Sequence, residues 1–281
     1  MGRKLFCELG PIAYEISLRK EALLKNIDDF IIKKYKIAKK KDYNNYEYIW
    51  KGDAKILFRK LHGVDMQLQI NKAKNLEIAG KKVDGVIVQP GEVFSLWNLV
   101  GKTSKRKGYL EGLTVSNSSL GKGRGGGLCQ LGNLIHYLVL HTDLEVVEKH
   151  HHSDALFPDE KRRVPFGTGT SIAWKRLDYK FKNTTDCPVQ IRIWQDETMI
   201  YGEIRAPKPI DYKYRLVEED HHFAKENGIF YRNSKVYRIK TDKKTGEDIK
   251  KELVLENHSR VMYDYDLIPK DQIREEVKNA E

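Results

Sequence analysis

Three observations predict an α+β fold: helical periodicity gathers before residue 83, a glycine run opens one amphipathic helix near the middle, and short alternating runs dominate beyond residue 144. The expected plan is N-terminal helices over 1–82, then a mixed core over 83–206, and last a β-hairpin-rich extension with a charged tail over 207–281. In the core the glycine loop leads into a helix packed on mostly antiparallel strands. The chain has 281 residues, 40% of them hydrophobic, which is apolar surface enough to offset the ordering entropy of a folded core.

The first helix is read behind Ser17 as N-cap with Glu21 after it, and ends near Lys39, Lys40 and Lys41. Leu23, Ile27 and Phe30 are its expected contacts with the core, and its lysines a solvated face. A second helix is expected over 66–79, where Ile70, Ala73 and Leu76 recur at helical spacing and Gly80 supplies a stop. Val86, Ile87 and Val88, the turn Pro90-Gly91, and Val93 to Leu96 read as short strands. The helix after the glycines spans 129–140, with Leu131, Ile135 and Leu138 on one face. Strands are then expected over 144–152 and 173–182, followed by hairpins 189–194 with 199–205 and 231–240 with 249–255.

The sequence holds no run of about 18 apolar residues and no basic-then-apolar leader, so a cytoplasmic chain without a membrane span is expected. Cys7, Cys129 and Cys187 are far apart and odd in number, which matches a reducing compartment. The net charge is +11, and residues 1–62 hold 15 Lys or Arg against 8 Asp or Glu. Lysines there alternate with polar residues, which favours a solvated surface over a nucleic-acid face, and no nucleic-acid partner is expected.

Gly121, Gly123, Gly125, Gly126 and Gly127 fall within seven positions, just before Cys129 and Gln130. That density costs backbone entropy, so a special conformation or a close approach must require it. Glycines entering a helix leave N–H groups that can hold a carboxylate or an oxyanion, and a cysteine in the first turn gains thiolate character from the same dipoles. Cys129 is therefore the candidate nucleophile and the expected most reactive thiol. His152 is the candidate base and His150 its neighbour; Asp178, or alternatively Asp154, is the candidate orienting acid. Gly125, Gly126, Gly127, Gln130, Arg124 and Ser153 are candidate substrate or oxyanion contacts. His136, about 10 Å along the helix from Cys129, reads as a packing or surface histidine.

Metal and nucleotide chemistry are read out of the sequence. A four-ligand zinc set with local pairs is missing, and no cofactor is expected. Gly101-Lys102-Thr103 ends like a phosphate-binding loop, but Leu96 stands where its first glycine belongs.

Val88 to Ser95, Gly125 to Gln130, and His150-His151-His152-Ser153, in that order, resemble the VanW family. The resemblance covers about 83–206, and the flanks, including 179–183 and 217–222, resemble the family's short soluble branch found with B-type vancomycin resistance genes. It implies an accessory role in glycopeptide (antibiotic) resistance or the cell wall, without assigning a reaction. Where relatives have a hydroxyl residue soon after Cys-Gln, this chain has Leu131-Gly132-Asn133. Two functions follow as expectations: cysteine-dependent acyl transfer or amide hydrolysis on a small or peptide-like anionic substrate, and a non-catalytic module holding an anionic ligand in the glycine loop.

Overall fold

The computed structural model describes residues 6, 9–58, 65–116, 119–151, 154–155, 158, 164–174 and 176–274. Helix α1 (Pro11–Ile27) opens with proline in its first turn, where a missing N–H costs nothing, and passes into a π-helical turn over Asp28–Ile32. It therefore starts before Ser17 and ends before the lysine run. Leu23, Ile27 and Phe30 are exposed, contrary to their expected packing, because the opposite side of α1 is turned to the core. The lysine run is also not uniformly solvated. Lys41 donates to the carbonyls of Lys81 (3.1 Å) and Asp84 (2.8 Å) at the end of the next helix.

Strand β1 (Tyr48–Ile56), unforeseen in the sequence, follows; helix α2 (Met66–Val83) is capped by Asp65, whose side chain accepts from the N–H of Gln67. Gly80 does not stop α2. It is a packing glycine, since an added Cβ would lie 3.1 Å from Ile193. Next come β2 (Val86–Val88), β3 (Val93–Ser95), α3 (Leu96–Val100), β4 (Glu111–Ser116), β5 (Ser119–Arg124), α4 (Cys129–Val139), β6 (Glu145–Glu148) and β7 (Asp154–Ala155). The chain closes with β8 (Lys180–Lys182), β9 (Val189–Gln195), β10 (Met199–Ala206), β11 (Tyr212–Glu226), β12 (Ile229–Asp242), β13 (Asp248–Val261) and β14 (Ile273–Arg274).

Among the described residues these strands form four sheets: β1-β10-β9-β2, β3-β8-β6, the hairpin β4-β5, and β14-β11-β12-β13-β7. Most pairings are antiparallel, as an α+β chain with short connections allows. Helix α4 packs on β1 and β10. Gly202 permits that contact: a Cβ there would stand 3.0 Å from Leu138 and 3.2 Å from Leu134. The main core joins Leu131, Leu134, Ile135 and Leu138 of α4 to Leu76, Phe94 and Phe181, the last two rings stacked at 4.8 Å. The expected strand over 173–182 is regular only at β8, since the 173–177 stretch turns back on itself through an Ala173–Leu177 bridge. No helix of the described residues is long and apolar enough to cross a membrane.

Candidate functional site

The glycine run is half strand and half turn. Gly121 and Gly123 lie in β5, opposite Thr114 and Gly112 of β4, and the turn over 125–128 delivers the chain to Cys129, the first residue of α4. Gly125 and Gly127 adopt φ of 76° and 91°, in the left-handed region that favours glycine. Space is the second constraint. An added Cβ would lie 2.5 Å from Thr103 at Gly125, 2.3 Å from the Gly112 carbonyl at Gly126, and 2.1 Å from Cγ of Lys72 at Gly127. Asn75 of α2, fully buried, locks the turn by donating to Gly126 O (3.0 Å) and Leu110 O (3.1 Å) and accepting from Leu110 N (2.8 Å).

Two of the turn's amides are spent internally, Gly125 N on Leu110 O (2.9 Å) and Gly126 N on Gly123 O (3.0 Å). The N–H groups of Gly127 and Leu128 have no acceptor among the described residues and stand at the positive end of α4. Two expected contacts are otherwise engaged. Gln130 Nε2 donates to Ile56 O (2.9 Å), and Arg124 Nη1 donates to Tyr109 O (3.1 Å). Each bond uses one donor, and the remaining N–H groups of Arg124 and the second N–H of Gln130 Nε2 stay with the oxyanion role expected from the sequence.

Segment 170–172 lies along the first two turns of α4. Thr170 N donates to Asn133 Oδ1 (2.6 Å), a Cβ at Gly132 would meet Thr170 and Ile172, and Cys129 Sγ is 4.0 Å from Ile172 O. Burial raises the Cys129 thiol above its ordinary pKa, outweighing its contacts with the Ile172 carbonyl and its own backbone. The low-pKa thiolate expected from the helix dipole is therefore not what this environment produces. Cys187 is likewise raised by burial, and Cys7 lies outside the described residues.

On the far side of this segment is a charged cluster. Ser171 N donates to His150 O (2.5 Å), and His150 Nε2 is 2.9 Å from Glu148 Oε1. The β6-β8 register sets Glu148 opposite Lys180, whose ammonium pairs with Glu148 Oε2 (2.9 Å) and with Asp29; Lys25 of α1 pairs with Glu148 as well. Burial alone would raise the Glu148 carboxyl, but hydrogen bonds from His150, Lys25 and Lys180 hold it well below the usual carboxylate range.

Among the described residues Asp178 bonds no histidine. Its carboxylate accepts from Ser95 Oγ (2.6 Å), Trp97 N (3.0 Å) and Tyr179 N (2.8 Å), which fastens the start of α3, and burial raises its pKa. Among the described residues Glu148 is the carboxylate bonded to a histidine of the tract. The sequence signal was there, since Glu148 and His150 are two apart where the chain alternates. His151 is exposed, while His152 and Ser153 lie outside the described residues. Asp154, the alternative acid, begins β7 against Arg260 of β13. His136 is buried, contacts the Tyr179 hydroxyl at 3.1 Å, and is lowered by burial and the charges of Lys149 and Arg238 to about 3, so it packs as a neutral ring. Among the described residues no three His, Cys, Asp or Glu side chains gather to hold a metal.

The chain is 35% identical over 201 residues to the vancomycin B-type resistance protein VanW of Enterococcus faecalis (strain ATCC 700802 / V583), covering 72% of this chain and 73% of that protein. The family model described as VanW like protein matches residues 71–205. The chain belongs to the VanW family. It is also 28% identical over 122 residues to the uncharacterized protein YoaR of Bacillus subtilis (strain 168), covering 43% of this chain and 39% of that protein. No solved structure matches it. The VanW match runs from α2 into β10, so it includes the glycine turn, Cys129, Glu148 and His150. Lys25 and Asp29, which close the charged cluster from the N-terminal side, lie before it.

Proposed function

We propose that this VanW-family chain is an accessory protein of glycopeptide resistance or cell-envelope metabolism that performs cysteine-dependent acyl transfer or amide hydrolysis on a peptide-like substrate bearing a carboxylate. The observation supporting this reading is the position of Cys129: it opens α4 beside the amides of Gly127 and Leu128, which have no acceptor among the described residues, with the Glu148–His150 pair beyond segment 170–172. A thiol raised by burial does not ionise unaided at neutral pH, so its proton must leave as the sulfur attacks. A histidine of the tract takes it, either His150, held by Glu148, or His152, two residues on in the sequence. Sulfur adds to the amide carbon, the C–N bond breaks, and the proton passes to the departing amine. The resulting thioester is resolved by an acceptor amine or by water, while the Gly127 and Leu128 N–H groups hold the oxyanion.

The same packing supports a second reading, a binding module in which Cys129 is a filler and the turn holds an anion. Incubation with a cell-wall-type peptide ending in a D-amino acid, followed by acid quench and mass spectrometry of the intact protein, separates the two. An acyl adduct on Cys129, absent in Cys129→Ala, is expected. Peptide binding that persists in Cys129→Ala, with no adduct on the wild type, would replace catalysis by binding.

A further inference from the structure

Helix α1 is built inside out. At about 100° per residue, Ile12, Ile16, Leu23 and Ile27 fall within an arc of about 60°. They are 79%, 51%, 60% and 37% exposed. Leu24 and Ile31, both exposed, widen the stripe on one side. The opposite side, with Lys25, is the one fastened to the core through the ion pair with Glu148, and the turn after α1 adds the buried Asp29–Lys180 pair. A helix on a globular protein ordinarily buries its apolar stripe and leaves its charges in water. Here the stripe is outside, while Lys25 turns inward.

The charge around the stripe says what covers it. Residues 1–41 contain eleven Lys or Arg and five Asp or Glu, a net of +6. Arg19, paired with Glu15 one turn back (3.4 Å), and Lys20 are exposed and, by the same angular count, lie at the border of the stripe and within it. Lys34, Lys39 and Lys40 are exposed beyond α1 and make no ion pair among the described residues. A second copy laid stripe to stripe would oppose like charge to like, whereas an anionic bilayer surface offers the opposite sign with an apolar layer beneath. We infer that α1 lies flat on an anionic lipid surface. Its stripe, about 25 Å long, sits at the acyl boundary, and the Arg19 and Lys20 stems run along it with their charges at phosphate level.

Flotation of the full-length protein with vesicles tests this. Vesicles of phosphatidylcholine containing about one-third phosphatidylglycerol should be bound at least about tenfold more tightly than phosphatidylcholine alone, with the difference shrinking at high salt. Ile16→Ser/Leu23→Ser/Ile27→Ser should abolish binding, and Lys20→Glu should weaken it, with unchanged circular dichroism because all four residues are exposed. Equal binding to both vesicles, or binding unaffected by the triple substitution, overturns the inference. So does concentration-dependent self-association that the triple substitution removes, which would put a second copy on the stripe.

Discussion

The two sides of segment 170–172 are specified in opposite ways. On the α4 side the turn at Gly125, Gly126 and Gly127 is determined by shape, with backbone, a threonine and a lysine stem so close that no side chain fits. On the β6 side Glu148, Lys180, Lys25 and Asp29 are determined by charge, each compensating another, with His150 in hydrogen-bond contact with Glu148. Shape positions Cys129 without ionising it, and the nearby charge compensates itself before reaching the thiol. The difference teaches that the proposed attack by Cys129 calls for proton transfer as the sulfur attacks, since burial raises the thiol and does not favour a resting thiolate.

The largest test of that contrast is Lys180→Met. Removing a cation 1% exposed leaves Asp29 and Glu148 without their shared partner, and breaking a buried pair from one side costs about 3–5 kcal/mol. Urea denaturation should show a loss of that size. A loss under about 1 kcal/mol would mean the cluster is wet and contributes little.

Gly126→Ala comes next and probes the shape side. Its Cβ would fall 2.3 Å from the Gly112 backbone, which cannot swing away as a side chain can, so overpacking should cost about 2–3 kcal/mol. Gly121→Ala is the control, because its nearest neighbour would be the Thr114 hydroxyl at an acceptable 3.4 Å. Equal midpoints in denaturant for the two variants would show that β4 and the turn can part easily.

The legible parts of the sequence were those whose cause is local. Leu131, Ile135 and Leu138 announce α4 by spacing alone, and the turns at 196–198 and 242–246 announce two hairpins. Glycine density correctly flagged a close approach before Cys129, but not that the approach is to Thr103, Gly112 and Lys72, which are distant in sequence. The partners of Asp178 were hidden for a similar reason. Its neighbours alternate like a strand, yet the chain is irregular until Lys180, and the carboxylate turns inward to Ser95 and Trp97. Lys25 and Asp29 were read with a solvated helix because nothing local shows that they meet Lys180 and Glu148, more than 120 residues away.

A pH series sharpens the charge side further, with an effect of about 1–2 kcal/mol. The folded pKa of Glu148 is depressed, so its stabilisation is complete above the ordinary glutamate value of about 4.3 and is lost as pH falls through the folded value. Asp178 acts in the other direction: its raised folded pKa makes the native state take up protons first, so stability falls as pH rises through that window. Glu148→Gln should therefore flatten the acid loss of stability between about pH 5 and 2, and Asp178→Asn should steepen it. An acid limb unchanged in Glu148→Gln would locate the pH-sensitive group elsewhere.

The smallest change in stability, and the most informative for chemistry, concerns the thiol. Because burial raises Cys129, alkylation by a small reagent should be slow at about pH 6.5 and accelerate about tenfold per pH unit until the thiol ionises. His150→Asn should leave that resting rate within about twofold, since no hydrogen bond joins His150 to Cys129 among the described residues. The same substitution should nevertheless reduce acyl-adduct formation by about 100-fold if His150 receives the proton during attack. Rapid labelling at pH 6.5 that slows in His150→Asn would break the comparison from the other side. It would mean that the charge of the β6 cluster reaches the sulfur across segment 170–172, and that a resting ion pair rather than transient proton transfer activates Cys129.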